Sequence, residues 1–304
     1  MNRVLMLLAL LFPFSALAEA TPPGPPTSGY GSTQGYITDS WKEYDLGGSR
    51  DGSRVWWYVP DVLKDGDNAP VVVYLHGWTA YLPAYYMAKI EHLLRQGIIV
   101  IYPQYQKSGV VGLFTDTDQT VFLDRAVSST ALALNELGGV ANTDELYVSG
   151  HSLGGLLGFC WEYGGGVPAR ALVLENAALN SAAQPIPVDI TILDWNLCAP
   201  EVTTPVYMLT GAEDALHIDS LQAYDMLVNS PTVETFLAHS DSYGNPDIVA
   251  NHGAPLASSS VDTLDGRYYF AGLDAVMAGQ THLSFNLGNW SDGTPVIPVE
   301  RAKP

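Results

Sequence analysis

The sequence predicts an α/β fold, a mostly parallel central sheet with helices on both faces. Two observations lead there. Strand-like and helix-like segments alternate through most of the chain, as they do where parallel strands are joined by crossover helices. The strand candidates are also short continuous apolar runs, which suits strands buried on both faces. With 304 residues, no internal repeat and no second linker, a single domain over residues 37–304 is expected.

The elements follow in order. Residues 41–60 suit antiparallel strands, with Arg54–Val59 rich in β-branched and aromatic residues. Val71–Leu75 and Ile98–Tyr102 are buried strands, separated by a helix over Ala84–Arg95. A long amphipathic helix, Thr120–Leu137, leads to the strand Glu145–Ser149, and Leu153–Tyr163 is helical. Strands follow at Ala171–Leu174, Val206–Leu209 and Val233–Leu237, with helices over Ser220–Val228 and Asp262–Met277. About thirty residues join Leu174 to Val206, short for a helical lid, so little or no lid is expected.

Composition excludes several roles. Hydrophobic residues make up 47% of the chain and charged residues 15%, which is not the balance of a disordered protein. Lys and Arg total 13 against 32 Asp and Glu, for a formal charge of −19. Such a chain is repelled by nucleic acid, whose binding needs cations to displace counterions, and by anionic membranes.

The first residues have the layout of a secretory signal peptide: Asn2-Arg3, an apolar run from Val4 to Phe14, then Ala16-Leu17-Ala18. Cleavage after Ala18 and a secreted or periplasmic product are expected. The apolar run is too short to span a bilayer, so no stable membrane anchor is expected. Residues 19–36 are rich in Pro, Gly, Ser and Thr and read as an extended leader. Cys160 and Cys198 are the only cysteines. Export permits a disulfide, but a bridge and two buried thiols both fit the sequence. No CxxC, HExxH or other ligand cluster implies a metal or cofactor.

The chemistry gathers at strand ends. Gly150-His151-Ser152-Leu153-Gly154 is a GxSxG pentapeptide between a strand and an apolar helix, the setting of a nucleophile elbow. An activated serine needs amides for a developing oxyanion. His76-Gly77-Trp78 follows a strand directly, so the N–H groups of Trp78 and Leu153 are the candidates, with His76 bracing the loop. The acid is expected after the strand 206–209, where Asp214 leads over the adjacent Glu213 and the remoter Asp219. The base follows the next strand. His217 is too near Asp214 and His282 lies past the last helix, leaving His239 and His252, which position alone does not separate.

Several blocks resemble a bacterial family of secreted α/β-hydrolases, in the group of dienelactone hydrolases, chlorophyllase-like and cutinase-like esterases. They are Pro70–Trp78 (PVVVYLHGW), Ile98–Gln106 (IIVIYPQYQ), Gly150–Gly155 (GHSLGG), Gly211–Asp214 (GAED), Ser240–Pro246 (SDSYGNP), Ala250–Pro255 (ANHGAP) and Trp290–Pro295 (WSDGTP). Thr79–Pro83 departs from the more Gly-rich loops of some relatives. The resemblance implies the α/β-hydrolase fold, with His252 as base and His239 as a structural histidine. It supports carboxylic ester hydrolysis, and with the residues above it completes a Ser152–His252–Asp214 triad acting through an acyl-enzyme; that mechanism needs no cofactor, and a monomer is expected.

Short-to-medium acyl or aromatic esters are the expected substrates, with Trp78, Tyr81, Tyr85, Tyr86, Tyr102 and Tyr105 as an aromatic wall. Polyester or cutin-type hydrolysis, lipase, peptidase or acyltransferase activity, and a non-catalytic binding protein on the same fold are the alternatives.

Overall fold

A computed structural model describes residues 19–179 and 189–303. The expected signal peptide, residues 1–18, lies outside the described residues, as does part of the 174–206 connection on which the absence of a lid was argued.

Among the described residues, nine strands form one sheet in the order β1-β2-β4-β3-β5-β6-β7-β8-β9. They are β1 (Trp41–Leu46), β2 (Val55–Pro60), β3 (Ala69–Leu75), β4 (Ile99–Pro103), β5 (Ala141–His151), β6 (Ala171–Glu175), β7 (Val206–Gly211), β8 (Val233–Ala238) and β9 (Glu300–Lys303). The six strands from β4 to β8 run parallel, while β1, β2 and β9 add antiparallel edges. The helices are α1 (Met87–Arg95), α2 (Gly109–Thr115), α3 (Gln119–Leu137), α4 (Leu153–Phe159), α5 (Trp195–Cys198), α6 (His217–Met226) and α7 (Ala271–Met277).

The two-residue period of the strands divides the core. Val71, Val73 and Leu75 face a layer with Phe122, Leu156 and Leu157 from α3 and α4. Val72 and Tyr74 face the opposite layer, with Ile90 and Leu93 of α1 and Leu273 of α7. Both faces are thus covered, which is why the central strands read as unbroken apolar runs.

Some expectations need correction. Helix α4 ends at Phe159 rather than Tyr163: the chain turns through Gly164–Gly166, with Gly165 at φ +71°. The final helix is continuous from Asp265 to Met277, but its first part, Asp265–Phe270, is wound in wider i→i+5 turns before regular α7 begins. Helix α2 and strand β9 had no signal, since Glu300–Lys303 is charged and owes its strand to pairing with β8.

Cys160 and Cys198 form a disulfide that ties the end of α4 to the end of α5. Residues 19–36 lie against the domain. The carbonyls of Ala20, Pro23 and Gly24 accept hydrogen bonds from Asn245, Thr263 and Arg267, and the Gly31 amide donates to Asp274.

Candidate active site

Strands β3 and β5 are neighbours whose connections leave in opposite directions, β3 toward β4 on one side and β5 toward β6 on the other. A crevice opens at the carboxyl ends of such a pair. Two segments meet there: the loop Gly77-Trp78 after β3, and Ser152 after β5.

Ser152 sits at φ +57°, ψ −120°, in left-handed space that a non-glycine residue adopts only under strain. The glycines on either side are sterically required. A Cβ at Gly150 would stand 2.3 Å from the Gly154 carbonyl oxygen, and one at Gly154 would stand 2.1 Å from that of Leu75. The turn therefore closes only without side chains at those positions, and it presents the Ser152 hydroxyl at the mouth of the crevice. Helix α4 starts at the next residue. Among the described residues, the N–H groups of Leu153 and Trp78 have no hydrogen-bond partner.

Asp214 lies in the turn after β7. Its amide donates to the Gly211 carbonyl at 3.1 Å, its Oδ1 accepts from the Leu216 amide at 2.9 Å, and it is buried. His252 lies in a loop that folds back onto that turn, held by the Glu213 amide on the Ala250 carbonyl (3.0 Å) and the Ala250 amide on Ser240 Oγ (2.8 Å). His252 Nδ1 is 2.9 Å from Asp214 Oδ2, and His252 Nε2 is 2.8 Å from Ser152 Oγ. With Nδ1 protonated toward the carboxylate, Nε2 is free to accept the serine proton.

The rival candidates stand apart. His239 pairs with Glu300 on β9 at 3.4 Å, and His217 bonds the backbone carbonyl of Asp214. Glu213 is exposed at the cleft rim, and Asp219 is buried on α6. His76 bonds the Gly77 carbonyl through Nδ1 and stacks on Tyr105 at 3.9 Å. Burial pushes its imidazole down to about 3, so it is neutral.

Ser152, His252 and Asp214 line a cleft of about 750 Å³. The expected aromatic wall is smaller than read from the sequence. Of the six candidates only Trp78 and Tyr86 line the cleft. Tyr102 and Tyr105 are wholly buried, and their hydroxyls donate to the carbonyls of Ala80 and His76, supporting the loop from below. No Lys or Arg is among the lining residues described, and the charged side chain at the rim is Glu213.

Polar roles for His151 and Asn176 beside Ser152 were not anticipated, and Tyr86 was expected only as part of the aromatic wall. Tyr86 and His151 bond each other, and Asn176, at φ +43° after β6, donates through Nδ2 to the carbonyl of Asn251 at 2.8 Å. A histidine inside the GxSxG pentapeptide and an asparagine at a strand end were the available signals.

Solved structures share this architecture. Esterase B from Lactobacillus rhamnosis is 15% identical with a TM-score of 0.50, covering 67% of this chain and 77% of that one. Est1E from Butyrivibrio proteoclasticus, with ferulic acid bound, is 14% identical with a TM-score of 0.50, covering 64% and 89%. A Bacteroides ovatus protein provisionally named dipeptidyl aminopeptidase IV is 12% identical with a TM-score of 0.53, covering 72% of this chain and 34% of that one. The chain has the α/β-hydrolase fold. No family model and no curated protein matches the sequence. At these identities the α/β-hydrolase fold is what is shared, and it serves esterases and a peptidase-like neighbour alike.

Proposed function

We propose that the protein is a serine hydrolase of carboxylic esters. The observation that carries this reading is the line of Ser152 Oγ, the His252 ring and the Asp214 carboxylate at 2.8 and 2.9 Å, opening on a cleft. His252 Nε2 takes the Ser152 proton as Oγ bonds the ester carbonyl carbon. Asp214 holds the imidazole tautomer and stabilises the imidazolium. The Trp78 and Leu153 amides, free of other partners, receive the oxyanion. The ester C–O bond then breaks, the leaving alkoxide takes the proton from His252, and an acyl-enzyme remains. Water repeats the cycle with His252 as base, releasing the acid. No step calls for a metal or cofactor.

The cleft lining supports an uncharged ester of short-to-medium acyl or aromatic type. Among the described residues it is mostly apolar, with Trp78, Ala178, Leu216 and Leu256 in its lining, and it offers no Lys or Arg to an anionic group. Leu256 is exposed at the rim, which favours polymeric or aggregated esters as the second reading. Export through the residue 1–18 signal is part of the proposal, and the Cys160–Cys198 disulfide supports an oxidising destination. A monomer is proposed.

Replacement of Ser152 by Ala is expected to abolish hydrolysis of p-nitrophenyl esters, by about 10³-fold or more, in a protein of unchanged circular dichroism. Retained turnover would remove the reading. A panel of p-nitrophenyl esters of rising chain length, with an anilide of the best acyl group alongside, tests both acyl preference and the peptidase alternative.

A further inference from the structure

The oxyanion loop and the base loop reach the site from distant parts of the chain, yet one chain of hydrogen bonds joins them. The Gly77 amide donates to Tyr86 Oη at 2.9 Å, Tyr86 Oη lies 2.8 Å from His151 Nδ1, and His151 Nε2 lies 2.8 Å from the His252 carbonyl oxygen. We propose that Tyr86 and His151 form a strut that sets the Trp78 amide and the His252 ring in one register about Ser152, making both of them positioning residues. The proposal deepens the hydrolase reading and rests on it.

Only one arrangement of protons satisfies this chain. An amide can only donate, so the Tyr86 oxygen accepts from Gly77 and its own proton goes to His151 Nδ1. Nδ1 is then the unprotonated nitrogen, and Nε2 carries the hydrogen. A carbonyl can only accept, so Nε2–H donates to His252. Each bond along the chain then runs in one direction, which requires neutral His151. Burial provides that: the ring is enclosed and its pKa is pushed down to about 3, with the Lys89 ammonium and any positive charge arising on His252 also opposing its protonation, against the bond to the His252 carbonyl, which favours it. The strut thus keeps its polarity when His252 becomes an imidazolium during turnover.

Its fit is close. A Cβ on Gly77 would come within 3.1 Å of His151 Nδ1, 3.2 Å of Tyr86 Oη and 3.3 Å of Ser152 Cβ. A side chain at Gly77 would thus crowd the strut and Ser152 together. At the other end the His252 carbonyl also receives Asn176 Nδ2 at 3.3 Å, and the His151 and His252 rings lie 5.1 Å apart. The base is thus held through its backbone by the residue that precedes the nucleophile. Tyr86 adds a third element, since it is buried at the entry to α1.

A strut that positions both ends acts as a unit, and that is measurable. Tyr86→Phe deletes one oxygen. His151→Leu removes both ring bonds, and His151→Gln restores a donor toward the His252 carbonyl. Active sites are titrated with a fluorophosphonate, so kcat is counted per reactive Ser152 and poorly folded material drops out. Each of the first two variants is expected to lower kcat for a p-nitrophenyl ester about 10- to 100-fold with KM unchanged, as misplacement of reacting groups does. His151→Gln recovers part of the loss. The Tyr86→Phe/His151→Leu double variant falls no further than the worse single one, the signature of coupled residues. Losses that multiply in the double variant, or a lower Tm with kcat intact, would overturn the strut. If His151→Leu does not fold, Tyr86→Phe and His151→Gln with their own double variant decide by the same criterion. A wild-type protein that neither labels nor turns over would instead remove the hydrolase reading itself, and the strut with it.

Discussion

The Asp214 carboxylate is divided between two donors: Oδ2 lies 2.9 Å from His252 Nδ1, and Oδ1 accepts the Leu216 amide at 2.9 Å. The second bond fixes the plane of the carboxylate, so the first can fix the ring. Asp214→Asn retains an acceptor for Leu216 but can present an N–H to His252 Nδ1, favouring the wrong tautomer. We expect kcat for a neutral ester to fall by about 10³- to 10⁴-fold, with KM nearly unchanged, in steady-state kinetics.

Glu213 is exposed at the rim of a cleft whose described lining holds no cation. Glu213→Gln is expected to raise kcat/KM for an ester with a negatively charged acyl chain by about two- to five-fold, and the gain should shrink as salt is added. A neutral ester of equal length should respond little. Equal responses from the two esters would show that Glu213 does not select by charge.

The Cys160–Cys198 bridge closes a loop spanning 38 positions, between the end of α4, the helix that follows Ser152, and α5. Chain entropy alone gives such a cross-link about 4 kcal/mol of stabilisation. The Cys160→Ala/Cys198→Ala protein is expected to melt about 10 °C lower while keeping its ester turnover at 25 °C, where the fold persists. Calorimetry of the two proteins checks this.

Burial first, and the neighbouring Asp262 carboxylate second, push the Asp265 carboxyl up to about 7. The folded state then keeps a proton that the unfolded chain gives up in the ordinary carboxylate range. The associated stability is full below about pH 4 and is lost as pH rises toward 7. Asp265→Asn mimics the protonated form and keeps an acceptor for the Asp262 amide, which bonds Asp265 Oδ2 at 3.0 Å. The gain in Tm from this substitution is expected to be small near pH 4 and to grow to several degrees by about pH 8. A gain independent of pH would assign it to packing instead of ionisation.

The parallel sheet was legible because burial on both faces leaves a local mark, the unbroken apolar runs of β3 and β4. Ser152 and the turn holding Asp214 were legible for a related reason: tight turns at strand ends demand glycine at fixed offsets. The choice of histidine was not local. His239 ends β8 and His252 lies thirteen residues later, and which ring faces Ser152 depends on the hydrogen bonds that fold Ala250 back onto Glu213. The aromatic wall was overread because tyrosines near a site in sequence may point into the core, as Tyr102 and Tyr105 do. The Tyr86–His151 pair joins residues 65 positions apart and has no sequence pattern. Strand β9 has no apolar period because an edge strand takes its order from its neighbour.

The early segment bound along the domain has a consequence for biosynthesis. Thr21 exchanges hydrogen bonds with Ser291, 270 positions away, and the Gly31 amide donates to Asp274. Those contacts cannot form until Asp274 and Ser291 have been made, so the segment docks late, at the cost of closing two very long loops. Until then residues 19–36 lack the partners that hold them against the domain.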